Sequence, residues 1–330
     1  KNTLLYNTSR YPDGGTDVLN NAIYAQIHLE YTKSLLLFAG SRYSINSLSA
    51  TFQDTTTIHL PFQEIQVQNI SLSNSLQLVY KLNPNLRFNG AVSNGFRNPN
   101  TDDIGKVFSK NDVSVVVPNN QLTPEKSINI EAGVHLKINN ILNLQLQVFQ
   151  TQITDAIERR EATLNGLDSM IYDGEMMSIM MNKNIGHATI SGLNFAYQLK
   201  INKQLSHSTI INILKGEATD GLPLSHISPA NIISTLNYEY DKHTFSLNAH
   251  YNAMKKAIDY DFGGVDNLEE ATFIGNPSWY TINLKYLTTI NKNLTFIAGI
   301  NNIMDVHYKT FGSGISASGR NFSLSLQSKF

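Results

Sequence analysis

Gly319-Arg-Asn-Phe-Ser-Leu-Ser-Leu-Gln-Ser-Lys-Phe330, the last stretch of the chain, decides how the rest is read. Successive side chains of an extended strand face opposite sides. Phe322, Leu324, Leu326 and Phe330 therefore share one face, and Asn321, Ser323, Ser325, Gln327 and Lys329 the other. An apolar face, a polar face and a terminal aromatic suit the wall of a barrel that is greasy outside and wet inside.

The pattern recurs upstream. Ile128, Ile130, Ala132, Val134, Leu136 and Ile138 alternate with Asn129, Glu131, Gly133, His135 and Lys137. Leu142, Leu144, Leu146 and Val148 alternate with Asn143, Gln145 and Gln147; Phe245, Leu247, Ala249 and Tyr251 with Ser246, Asn248, His250 and Asn252. Leu193 to Ile201 and Tyr280 to Tyr286 do the same. Period two dominates, with little helical competition.

Connections alternate as well. Short turns fall at Asn83-Pro84-Asn85, Asn139-Asn140, Asn202-Lys203, Asp241-Lys242 and Asn291-Lys292-Asn293, where Asn and Asp tolerate the left-handed backbone and Pro fixes its own φ. Between them lie long polar connections near 47–64, 97–123, 159–181, 259–275 and 305–318. Short turns on one rim and long loops on the other are the transmembrane-barrel layout. Segments over 2–9, 20–31, 34–46, 66–82, 86–96, 125–138, 141–157, 184–201, 204–216, 228–240, 243–257, 277–290, 294–304 and 319–330 predict an all-β, antiparallel, transmembrane barrel wall of about fourteen strands. A soluble sandwich or propeller also alternates. It would not confine its short turns to every second connection, and no blade-length repeat is visible.

Composition agrees. Only 15% of the 330 residues are charged against 41% hydrophobic, the balance being made up by Asn, Ser, Thr and Gln. A net charge of −1 argues against a nucleic-acid partner held by bulk positive charge. Cysteine is absent, which excludes disulfide and thiolate chemistry. No apolar run reaches the roughly eighteen residues of a helical span, and barrel strands need none. The start at Lys1, without Met or signal peptide, predicts a mature product or a piece of a longer protein.

Three segments carry a family resemblance. Tyr80 to Asn100 ends in Asn94-Gly-Phe-Arg-Asn-Pro-Asn100 and is followed by Gln121-Leu-Thr-Pro-Glu-Lys-Ser127 and Glu131-Ala-Gly133. Asn184-Ile-Gly-His-Ala-Thr-Ile-Ser-Gly-Leu-Asn194 opens a strand; Ala298-Gly-Ile-Asn-Asn-Ile-Met-Asp-Val-His-Tyr308 precedes the closing one. In this order they resemble TonB-dependent outer-membrane receptors, over at least residues 70–330. The resemblance implies the C-terminal part of a barrel of about twenty-two strands, with no plug domain in this chain. It implies uptake of a scarce nutrient, such as siderophore-iron, cobalamin or a glycan, across a Gram-negative outer membrane. TonB would act through an N-terminal region, and Phe330 would be the signal read by the barrel assembly machinery. A stand-alone porin or passive transporter of about fourteen strands is the alternative.

Candidate site residues lie in the loops. Arg97, ahead of Asp102 and Asp103, is a ligand contact at the pocket mouth or a rim arginine paired with a loop carboxylate. Arg159 and Arg160 sit in a mixed-sign run from Asp155 to Glu161, which reads as a ligand cluster or a solvated rim. Tyr260, Phe262, Trp279 and Tyr280 read as stacking platforms for a ligand or as girdle aromatics at the membrane interface. Met176, Met177, Met180 and Met181 offer thioethers for Cu(I), or adaptable apolar filling. No cofactor is expected. The resemblance implies a haem-ligating His between the Arg-x-Pro box and the Leu-x-Pro-Glu segment in some receptors, and residues 98–120 contain none. His28, His135 and His250 fall on polar faces, without a compact zinc pair. No nucleophile elbow, phosphate loop or zinc His pair appears, so catalysis is not expected.

Overall fold

The computed structural model describes residues 9–55, 58–111, 113–261 and 263–329. One antiparallel sheet of thirteen strands dominates, each strand bonded to its chain neighbours in that sheet. They are β1 Thr16–Glu30, β2 Leu35–Thr51, β3 Glu64–Asn83, β4 Leu86–Arg97, β5 Glu125–Ile138, β6 Leu142–Thr154 and β7 His187–Lys200. β8 Leu205–Ala218, β9 Asn231–Tyr240, β10 His243–Asn252, β11 Trp279–Asn291, β12 Leu294–Asn301 and β13 Asn321–Ser328 complete it. Among the described residues β1 and β13 are both edges and do not pair, so the wall is an open part of a barrel. The count is thirteen where about fourteen were expected. The expected strand over 2–9 lies outside the described residues apart from Ser9, which is in no strand.

Alternation sets the register. Phe322, Leu324 and Leu326 of β13 stand on its exposed apolar face, and Ile300, Ala298 and Phe296 lie opposite them on β12. A slip of one residue would turn every one of these side chains to the polar side.

The short turns form for a local reason. Asn83 Oδ1 accepts from the backbone N–H groups of Asn85 and Leu86 at 2.9 and 3.0 Å. Asn202 Oδ1 accepts from Gln204 and Leu205 at 2.8 and 2.9 Å, and Asn291 Oδ1 from Asn293 at 2.9 Å. Asn139 and Asp241 take positive φ, 47° and 51°, which their short polar side chains tolerate. The opposite rim carries the connections 52–63, 98–124, 155–186, 219–230, 253–278 and 302–320.

Two of these connections fold into a second sheet. Phe108–Asn111 pairs with Ser114–Val116, which runs parallel to Glu175–Asn184; Ser169–Tyr172 and Ile157–Glu161 pair with that same strand. Val115, Val117, Leu164, Met177 and Ile179 pack into its core with Ile58 and Val107. Residues 97–123 and 159–181 are therefore a packed body on the rim, where polar loops were expected.

Candidate functional site

The long-loop rim gathers the candidate residues into two linked groups. Arg97 closes β4 and forks between two carboxylates. Its Nη1 donates to Asp103 Oδ2 at 2.7 Å and its Nε donates to Glu125. Asp103 also completes a capping box with Asn100 on the short helix Thr101–Ile104. Arg97 thus anchors the connection 98–124 to the start of β5. Asp102 belongs to a different contact set: it accepts from Tyr11 Oη at 2.9 Å and Lys106 Nζ at 3.0 Å. Burial works to raise its pKa, but those bonds and the charges of Lys106 and Arg10 hold the carboxyl below its usual range.

The second group centres on the strand Ile157–Glu161. Glu158 is buried, and burial pushes its carboxyl up although Ser225 Oγ donates to it at 3.0 Å and Arg160 lies near. Arg160 stands 3.6 Å from Asp220 and 4.0 Å from Glu158. Arg159 donates to the Gly263 carbonyl at 3.2 Å, and its buried Nε has no hydrogen-bond partner. Burial draws its guanidinium below the usual range, opposed by the charges of Asp261, Asp102 and Glu158. Arg159 therefore links the two groups electrostatically. The buried Glu158 corrects the solvated-rim reading of this run, because the loop 219–230 folds over it.

Tyr260 is buried edge-on against Phe311 at 5.5 Å. Its phenol is pushed up by burial and then by the charge of Asp266. Phe262 lies outside the described residues. Trp279 corrects the girdle reading. It is 6% exposed on the polar face of β11, its ring tilted against that of Tyr308 at 4.1 Å and edge-on to His250 at 4.7 Å. Tyr280, one residue on, takes the exposed apolar face. Phe330 also lies outside the described residues.

The methionines divide by alternation. Met177 is 1% exposed inside the loop core and Met176 is 64% exposed on the other side. Met180 is buried, and Met181 packs against the core edge.

No sequence motif marks the hub around Asp266. This residue is 2% exposed, and its backbone N–H donates to Asp261 Oδ1 at 2.9 Å. Both its carboxylate oxygens accept from the backbone N–H of His226, at 2.9 and 3.1 Å. Burial pushes the Asp266 carboxyl up, with Asp261 adding to the shift. Lys255, also buried, donates to the Ile227 carbonyl at 2.7 Å and lies over Phe311 at 5.1 Å. Burial lowers its pKa against the charges of Asp266, Asp259 and Asp261. Asp266 and His226 are 40 residues apart in sequence and Lys255 and Ile227 are 28 apart, and the loop 219–230 shows no pattern marking it.

Known proteins share this architecture. The described wall superposes on the copper transporter OprC with a TM-score of 0.78 at 15% identity, covering 96% of this chain and 48% of that one. The siderophore receptor PirA from Acinetobacter baumannii gives 0.69 at 16% identity, covering 96% and 55%. In sequence, hemoglobin-binding protein A of Haemophilus influenzae is 23% identical over 292 residues, 74% of this chain and 28% of that protein. The hemoglobin and hemoglobin-haptoglobin-binding protein A of the same organism is 28% identical over 250 residues, 70% and 22%. The chain thus spans about a quarter of such relatives and about half of the similar solved structures. None of these similarities supports the stand-alone porin. The sequence profile described as "TonB dependent receptor-like, beta-barrel" matches residues 2–303; with the open thirteen-stranded wall and its folded rim, that match places the chain in the TonB-dependent receptor family.

Proposed function

We propose that this chain forms the wall and outer loops of a receptor for TonB-dependent uptake of a scarce nutrient across a Gram-negative outer membrane. One observation supports it most: connections distant in sequence are tied together above the long-loop rim. Arg159 reaches Gly263, Glu158 takes a bond from Ser225, and Asn182 donates to the Asp103 carbonyl. The opposite rim is held by tight Asn and Asp turns. A simple diffusion pore has no need of a cross-braced body at one mouth, whereas a ligand gate does.

In this reading the long loops face outward. Arg97, Asp102, Asp103, Arg159, Arg160 and Tyr260 brace or line the ligand entrance. TonB acts through a region N-terminal to the wall, and Phe330 addresses the chain to the barrel assembly machinery. Iron-bearing nutrients come first for testing, because the relatives named above bind haemoglobin and a solved neighbour is a siderophore receptor.

Uptake by a deletion strain carrying the whole receptor tests the proposal, with labelled ferric siderophore, haem and cobalamin supplied singly, with and without TonB. Accumulation of one nutrient that disappears without TonB is expected. Accumulation at the same rate without TonB, rising linearly with concentration, would overturn it in favour of a passive pore.

A further inference from the structure

One seam of the wall stops short of the rim. β3 pairs with β2 from Tyr80 up to Glu64, and β4 pairs with β5 up to Arg97, opposite Glu125. Between β3 and β4 pairing starts at Asn83 and Leu86 and ends, among the described residues, at Ser75 and Ser93. Beyond that point the two strands run on as the banks of a fork, residues 64–74 on one side and 94–97 on the other. A cleft of about 570 Å³ lies there, with Ile70 and Leu72 on one bank, Phe96 on the other, and Lys126 and Ile128 of β5 beside it.

Alternation shows what the banks present. The Gln63 carbonyl accepts from Phe52 N–H at 2.8 Å, and Lys81 N–H donates to the Ser34 carbonyl at 2.7 Å. Odd residues along β3 therefore turn their backbone groups toward β2, and even ones toward β4. Lys137 N–H donates to the Asn85 carbonyl at 2.7 Å, which turns the even residues of β4 toward β3. A side-chain amide spans the base of the fork. Asn94 Oδ1 accepts from Asn74 N–H at 2.9 Å and from Asn74 Nδ2 at 3.2 Å, and Asn94 Nδ2 donates to the Leu72 carbonyl at 2.8 Å. Further up, Gln68, Ile70 and Phe96 face the fork with no strand partner among the described residues.

Backbone groups left open on a membrane wall are costly, because hydrocarbon offers them nothing to bond. The two banks can satisfy each other. Continuing the ladder from Ser75 and Ser93 sets Asn74 opposite Asn94 and Leu72 opposite Phe96. No slip of register is needed, and Leu72 stays on the exposed apolar face it already holds. Asn94 stands in the way. Its amide occupies the Asn74 N–H and the Leu72 carbonyl, the groups that the Asn94 carbonyl and the Phe96 N–H would take in the closed ladder. Pro99, which has no N–H to give, ends the segment that can close. The connection 98–124 touches both banks: Arg97 ties it to β4 through Asp103, and Ile104 and Leu122 pack with Ile65 of β3.

We propose that the β3–β4 fork is a latch with two settings, held open by the Asn94 amide and closed when residues 94–97 zip onto residues 71–74, drawing the connection 98–124 across the rim.

The test uses the whole receptor in detergent, with introduced cysteine pairs oxidised and the joined peptides quantified by mass spectrometry; this chain supplies no cysteine of its own. Leu72→Cys with Phe96→Cys reports closure, because opposed residues of a hydrogen-bonded pair lie about 5.5 Å apart at Cα, within disulfide reach. Linking is expected to be slow in the parent background and at least tenfold faster when Asn94→Ala removes the amide. Asn94→Thr, a strand-former, is expected to act in the same direction. Ile70→Cys with Phe96→Cys is out of register by two residues and should stay at least tenfold slower than the 72–96 pair in the Asn94→Ala background. Ser75→Cys with Ser93→Cys, already opposed, controls for the fold and should link equally fast with either residue at 94. Oxidation of the 72–96 pair should change amide hydrogen exchange within 98–124 at least threefold and leave β1 unaffected. Equal 72–96 rates with and without the Asn94 amide would overturn the latch. So would 70–96 linking as fast as 72–96, which reports a loosened wall and no zipping. Unchanged exchange within 98–124 after oxidation would overturn its coupling to the rim.

Discussion

Asn184 and Thr123 exchange hydrogen bonds across the rim: Asn184 Nδ2 donates to the Thr123 carbonyl at 3.0 Å, and Thr123 N–H donates to Asn184 Oδ1 at 2.9 Å. Asn184 Nδ2 also donates to the Asp155 carbonyl at 2.6 Å. One amide therefore joins the Leu-Thr-Pro-Glu segment to the Asn-x-Gly segment, two motifs that lie 61 residues apart. Asn184→Ala removes all three bonds, each worth about 0.5–1.5 kcal/mol net. The expected outcome is new proteolytic cleavage within 98–124 and 155–186 while strand content is unchanged. Asn184→Asp keeps the acceptor for Thr123 and should cut more slowly. Equal resistance in all three proteins would remove the staple from the account.

Arg97 makes a different kind of joint. It divides its guanidinium between Asp103 and Glu125, and a lysine ammonium cannot reproduce that planar fork. The side chain is partly exposed, so screening limits the cost of Arg97→Lys to about 1 kcal/mol. Faster hydrogen exchange at Thr101–Ile104 is expected, with β4 and β5 unaffected. Arg97→Ala should extend the loss to the Ile157 N–H, which donates to Glu125 Oε1 at 2.6 Å.

The wall was legible because alternation is local: each residue of β13 carries its own mark of which face it takes. The turns were legible for the same reason, since Asn83, Asn202 and Asn291 cap their own backbones within three residues. The rim was not. Val115 and Met177 reach one core from separate connections, and short strands of three to ten residues carry too few positions to show a period. Asp266 and His226 meet across 40 residues with no spacing rule to announce them.

The methionines can be separated by their packing. Met177→Ala should destabilise the loop body by about 2–5 kcal/mol, as a fully buried truncation does, and Met176→Ala should leave it unchanged. A Cu(I) titration of Met176→Leu and Met180→Leu tests the thioether alternative. Loss of a tight Cu(I) site in these variants would favour copper; identical titrations would leave the methionines as packing residues.

Acid is expected to tighten the rim around Glu158 and Asp266. Burial raises both carboxyls above their ordinary values of 4.5 and 3.8, so the folded loops hold these protons more strongly than the unfolded chain. Stability from these groups is then greatest below the ordinary values and falls as pH rises through the raised ones. Asp102, held low, acts oppositely, and its contribution is lost only as pH falls below 3.8. Between neutrality and pH 4.5 the first effect governs. Thermal shift of the rim loops should rise on acidification over that range. Glu158→Gln, which keeps an oxygen for Ser225, should flatten the rise. A rise of the same size in that variant would place its origin elsewhere.

Among the described glycines, Gly275 is the one at which an added β-carbon would meet the nearest obstacle. Its φ is +109°, and a β-carbon there would lie 2.1 Å from the Lys255 carbonyl oxygen and 2.6 Å from the Ala257 nitrogen. Both obstacles are backbone, so no side chain can swing aside. Gly275→Ala must open the pairing of Lys255 and Lys256 with Gly275 and Asn276, at about 1–3 kcal/mol for the dihedral alone. Lys255 would then leave the Ile227 carbonyl, and the loop 219–230 would lose a tie close to His226. Cleavage of the variant is therefore expected within both 253–278 and 219–230. Cleavage confined to 253–278 would show that His226 is held without Lys255, by Asp266 alone.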